Sequence, residues 1–159
     1  MINLHILSVG NLKESYLREA VAEYEKRLGG FCRPILTSIK EKKLPDDPSE
    51  KEITAALEDE ADRLLALIPP RAFKVALCVE GKQLSSEALA EKIESVSQTA
   101  SDIVFIIGSS HGLSDRLKRA SDMRLSFSAL TFPHQLMRVM LLEAIYRAFN
   151  INANTRYHK

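Results

Sequence analysis

Cysteine is scarce in these 159 residues: only Cys32 and Cys78 occur, with no C-x-x-C spacing. A disulfide framework and a thiolate metal cluster are thereby excluded as sources of stability. Both cysteines lie in apolar, strand-like settings, so they are expected to be buried, reduced thiols, which favours a cytosolic chain. No apolar run approaches membrane-spanning length. Met1 to Gly10 lacks the basic start and small-residue cleavage site of a secretory signal. The dinucleotide fingerprint G-x-G-x-x-G, the phosphate-loop G-K-[ST] and the nucleophile elbow G-x-S-x-G are all missing. The four histidines (His5, His111, His134, His158) show no metal-ligand spacing, so no metal is expected. Repeats and low-complexity segments are absent too.

What is present is a globular composition, 45% hydrophobic and 27% charged, in a length that fits one domain over residues 1–159 with a real core. Strand and helix patterns alternate along it. Ile2 to Val9 reads as a strand stopped by Gly10. Asn11 and Glu14 have capping-box spacing, and Leu17, Val21, Tyr24 and Leu28 share one helical face that ends at Gly29-Gly30. Pro34 to Ile39 is a weaker strand, followed by a polar loop, Lys40 to Pro48. Ser49 and Glu52 repeat the capping-box spacing ahead of a helix with Ile53, Leu57, Leu64, Leu67 and Ile68 inward, stopped by Pro69-Pro70.

Phe73 to Val79 is a nearly continuous apolar strand of the kind buried on both faces, after which Glu80-Gly81-Lys82 is expected to turn the chain. A helix with Leu89, Ile93 and Val96 inward follows, capped by Ser85 or Ser86. Ile103 to Ile107 is the fourth strand. Ser114 caps a short helix, Arg124 to Phe127 is the fifth strand, and a last helix runs from His134 to Phe149. This order predicts an α/β fold with a largely parallel sheet flanked by helices. The last helix has a very wide apolar stripe. It is either enclosed within the monomer or also meets a second copy, and a two-fold dimer is the expectation taken.

In such sheets ligands sit beyond the carboxyl ends of strands. Gly108-Ser109-Ser110-His111-Gly112 leaves strand four where a missing side chain lets backbone amides approach a ligand; a plain tight turn also fits. Ser126 to Pro133 mixes hydroxyls with Phe127, Leu130 and Phe132, which suits a flat, dry ring slot; a connection capping the core fits as well. From Gly108 onward eight basic residues face three acids, a net +5 that leaves −4 for the rest of a chain carrying +1 overall. That third suits an anionic partner such as RNA, unless its charges pair locally as Glu143 and Arg147 can. Its few acids argue against paired-carboxylate chemistry there. Arg138, Arg147, Arg156, Tyr157, His158 and Lys159 are its polar candidates. The last residues would ordinarily fray.

Gly108 to Gly112, Leu125-Ser126-Phe127-Ser128-Ala129-Leu130-Thr131-Phe132-Pro133-His134-Gln135, Tyr146-Arg147-Ala148-Phe149 and Tyr157-His158-Lys159 together resemble the ribosomal RNA large-subunit methyltransferase H family, a branch of the knotted SPOUT methyltransferases. The resemblance extends to Val9 to Glu14, Ala22 to Leu28 and Glu80-Gly81-Lys82. It implies a deep C-terminal trefoil knot, which periodicity would never suggest. It implies a homodimer that binds S-adenosylmethionine (SAM) through Leu77, Gly108 and Phe127, Ser128, Ala129, Leu130, Thr131 and Phe132. It further implies methyl transfer to ring nitrogen 3 of a pseudouridine in large-subunit ribosomal RNA, on assembled ribosomes. Arg138, Tyr157 and His158 are the expected catalytic residues: they position the base, and its proton goes to His158 or to bulk water.

Two residues depart from the family pattern. Ser109 stands where a second glycine is usual and would narrow the approach to the methionine part of the cofactor; Arg156 stands where a proline commonly precedes Tyr-His. The competing readings are a non-catalytic ribosome- or RNA-binding factor on the same fold, an α/β enzyme with another nucleotide cofactor, and a dimerisation domain.

Overall fold

The computed structural model describes residues 1–159. In chain order the elements are β1 (Asn3–Val9), α1 (Ser15–Leu28), β2 (Arg33–Ile39), α2 (Glu50–Ala66), β3 (Phe73–Gln83), α3 (Ser86–Ser97), β4 (Asp102–Ile107), α4 (Asp115–Ala120), β5 (Met123–Ser126) and α5 (His134–Asn152). The strands form one parallel sheet in the order β2-β1-β4-β3-β5. Alternation along each strand sorts its side chains between two cores. Leu4 and Ile6 of β1 with Ile103, Phe105 and Ile107 of β4 face α1, α3 and α5. Leu7, Val9, Val104 and Ile106 face the other way, toward Ala61 and Leu64 of α2 and Leu117 of α4.

Part of the wide stripe of α5 is covered within the monomer. The helix packs between α1 and α3 over the sheet, and Leu141, Leu142, Ile145 and Ala148 have no exposed surface. Each fully buried Leu or Ile contributes about 1.5–3 kcal/mol. Leu136 stays exposed and Val139 and Met140 are only half-buried, so part of the stripe is left uncovered in the monomer.

Local signals were realised unevenly. Ser49 and Glu52 form both halves of their capping box, and Ser85 and Ser114 each accept a hydrogen bond from the third residue on. The Asn11–Glu14 box does not form: α1 begins at Ser15, without a side-chain cap. Arg18 instead donates to the Leu12 and Lys13 carbonyls at 3.2 and 2.6 Å, and Lys13 N donates to Gln135 Oε1 at 3.4 Å. Leu67, expected inward, is exposed beyond the end of α2.

The largest departure lies in β3. Glu80-Gly81-Lys82 is not a turn; the strand continues to Gln83 across an irregularity at which both Leu77 and Lys82 pair with Leu125 of β5. A Cβ at Gly81 would stand 2.7 Å from the Leu125 carbonyl carbon, so only glycine lets the two backbones meet there. Beyond the irregularity β3 leaves the core. Val79 is exposed, and Cys78 is only half-buried rather than buried like Cys32.

At the opposite, N-terminal end of the strands, Asp102 accepts from His5 Nε2 at 2.7 Å and from Asn3 Nδ2 at 3.1 Å. The His5 bond holds its carboxyl below the usual carboxylate range. A carboxylate depressed in the folded state adds stability above its unfolded pKa of about 3.9, and that stability is lost as pH falls through the folded value. Asp102→Asn is thus expected to melt earlier than the parent at neutral pH, with the gap closing as pH drops below about 4. Thermal melts across pH read this directly; a gap unchanged in acid would assign the loss to packing instead.

Candidate functional site

β4 and β5 flank β3, so the loops that follow them converge on the end of β3. Between them lies a cleft of about 670 Å³, inside the range of small-molecule sites, about 300–1,000 Å³. Its walls come from Leu77 to Glu80, from Ile107 to Leu113, from Lys118, and from Leu125 to Met137 without Ala129, Gln135 and Leu136.

The glycine turn is tight. Gly112 N donates to Ser109 O at 2.9 Å, Gly112 has φ +84°, and a Cβ at Gly108 would fall 2.2 Å from the Gly112 carbonyl oxygen. Ser109 is buried, and its hydroxyl accepts from the His111 N–H at 3.3 Å. Its side chain is thus tied into the turn's own backbone. In the second loop the Ser126 hydroxyl donates to Ser128 O at 3.1 Å, and Leu130 N donates to Ser128 Oγ at 3.0 Å. The N–H groups of Phe127, Ser128, Ala129, Thr131 and Phe132 make no backbone hydrogen bond. Beside the apolar Phe127 and Phe132, they are unengaged hydrogen-bond donors. Of the expected cofactor residues, Leu77, Gly108, Phe127, Ser128, Leu130, Thr131 and Phe132 line the cleft and Ala129 does not.

Sequence reasoning missed Cys78, Glu80, Lys118 and His134 as cleft residues. Lys118 and Glu80 form an ion pair, and the bond from Lys118 pulls the Glu80 carboxyl below its ordinary range. Burial raises the Cys78 thiol and lowers the His134 imidazole, the latter opposed by Glu41.

The three expected catalytic residues lie outside this cleft in the monomer. Arg138 is buried; its Nη2 donates to Val9 O at 2.9 Å and Gly10 O at 2.5 Å, and its Nε has no partner. Burial lowers its pKa. Arg138 ties the first turn of α5 to the end of β1. The last residues are not frayed. Tyr157 donates to Glu143 Oε2 at 2.7 Å, and its ring meets Tyr146 edge-on at 4.8 Å, beneath the Arg147 guanidinium. Burial and that carboxylate push the Tyr157 hydroxyl up, so it stays protonated. His158 Nε2 stands 2.8 Å from Glu87 Oε1 and Nδ1 3.3 Å from Arg147 Nη1, which fits the Nε2–H tautomer.

A family model described as predicted SPOUT methyltransferase matches residues 2–158. The chain belongs to the SPOUT methyltransferase family. A similar fold is seen in a solved structure described as a probable methylase family protein from Haemophilus influenzae Rd KW20. The TM-score is 0.57 at 14% identity, over 99% of this chain and 71% of that one. At that identity the likeness concerns the fold. In this SPOUT chain no helix is long and apolar enough to cross a membrane, and no three His, Cys, Asp or Glu side chains gather as a metal site.

Proposed function

We propose that the chain is a homodimeric, SAM-dependent methyltransferase acting on ring nitrogen 3 of a pseudouridine in large-subunit ribosomal RNA of assembled ribosomes in the cytoplasm. The observation that carries this reading is the cleft itself, with the two family loops converging on the end of β3. Its volume, apolar walls and free amide donors fit an adenosyl cofactor. The basic residues after Gly108 suit an RNA surface.

Bound in the cleft, SAM would supply an already activated methyl group, so no protein nucleophile or metal is needed. The chain's task is to hold the acceptor nitrogen in line and near contact distance. Arg138 places a buried positive charge under the first turn of α5, at the side of the cleft bounded by His134 and Met137. With the helix amides there, it favours negative charge on the base carbonyls. Tyr157 and His158 orient the base from the tail of the partner protomer, and His158 takes the imide proton once it leaves Arg147.

The test is mass spectrometry of ribosomal RNA from a deletion strain, before and after adding purified protein and SAM to its ribosomes. One pseudouridine is expected to gain a single methyl group at nitrogen 3. RNA unchanged by folded, SAM-binding protein would reduce the chain to a ribosome-binding factor.

A further inference from the structure

Glu80 supplies the cleft's only carboxylate and Lys118 its only ammonium, and they are paired with each other. The Lys118 side chain is 16% exposed and that of Glu80 is 53% exposed. Lys118 holds Oε1, while Oε2 accepts from no other side chain. Solvent reaches the Glu80 end and screens the pair, so its net stabilisation is small and the fold alone does not require an acid here. The backbone under Glu80 is fixed, because Gly81 sits against the Arg124 and Leu125 backbone with no room for a Cβ. A carboxylate with one oxygen anchored and the other free, on a fixed strand, is a directed acceptor for a hydroxyl.

Its place in the sheet says which hydroxyl. β3 is hydrogen-bonded to β4, the strand that ends in the Gly108 turn. Where a glycine turn receives a nucleotide in a parallel sheet, an acid past the end of a nearby strand accepts from the ribose hydroxyls. Glu80 lies past Ala76, the last β3 residue paired with β4, and lines the same cleft as Gly108. We infer that Glu80 reads the ribose diol of the adenosyl cofactor and that Lys118 is a positioning residue holding Glu80 in place. This inference rests on the cofactor reading above and adds ribose specificity to it.

Calorimetry tests it with S-adenosylhomocysteine, its 2′-deoxy and 3′-deoxy analogues, and adenosine, on the full chain and on Glu80→Gln and Lys118→Met. The parent should bind the ribose form about 10- to 100-fold more tightly than the weaker deoxy analogue, the range of a hydrogen bond to a charged group. Glu80→Gln should weaken S-adenosylhomocysteine and adenosine alike and lose the ribose preference. Lys118→Met should retain part of it. A parent without ribose preference, or a folded Glu80→Gln that keeps the parental preference, overturns the inference while leaving the cofactor reading intact. Weakening confined to S-adenosylhomocysteine also overturns it, because Glu80 would then read the amino-acid end. A parent that binds no S-adenosylhomocysteine sinks both readings.

Discussion

Gly108→Ala is expected to abolish measurable cofactor binding and to lower stability by about 3 kcal/mol or more, a large effect for a single methyl group. The added Cβ would lie 2.2 Å from Gly112 O, 2.5 Å from Gly112 C and 3.0 Å from Leu113 Cγ. Two of these three atoms are backbone and have no rotamer by which to yield. Nor can the turn open freely: Gly112 N is bonded to Ser109 O, Leu113 is buried, and Ser114 caps α4 through Leu117 N at 3.1 Å. Relief at Gly108 therefore displaces the cleft wall and the start of α4 together.

Gly112→Ala is the informative contrast. It meets no atom within 4 Å but forces a side chain to φ +84°, a cost of roughly 1–2 kcal/mol. It should weaken folding without filling the cleft. Denaturant melts and calorimetry with S-adenosylhomocysteine separate the two costs. Parental affinity in Gly108→Ala would show that this turn does not border the cofactor.

Much of this architecture was legible because it rests on short-range patterns. The period-2 alternation of β1 and β4 and the caps of α2, α3 and α4 survive intact in the fold. What the sequence hid was long-range. Asn11 and Glu14 have the same spacing as Ser49 and Glu52, but their segment is claimed by Arg18 and Gln135. Gly81 resembles a turn signal; its real cause is β5, more than forty residues later, pressed against its Cα.

The same holds at the site. Both loops could be found at strand ends. Glu80 and Lys118 could not, because only the order β4-β3-β5 carries the end of β3 between those loops. The sequence offered Arg138 as a residue that positions the base. The fold buries it against two carbonyls, and nothing in its spacing announced that.

Removing Tyr157, His158 and Lys159 is expected to cut methyl transfer by about 10²- to 10⁴-fold, the range of a lost acid–base group, with cofactor affinity nearly unchanged. The tail is clasped by Glu143, Tyr146, Arg147 and Glu87. Met137, the last cleft residue on α5, precedes Arg147 by ten positions, about 15 Å along a helix. Loss of the tail therefore leaves the cleft walls alone. Under the proposed function, a tail clasped this far from its own cleft serves the cleft of the other protomer. Mixing tail-deleted chains with Gly108→Ala chains should then restore about a quarter of parental turnover, since half the dimers are mixed and each has one complete site. Dimers that form and exchange but stay inactive would place tail and cleft in the same protomer. Full turnover by the tail-deleted chain alone would remove Tyr157 and His158 from catalysis, leaving them as the clamp that closes α5 against α3.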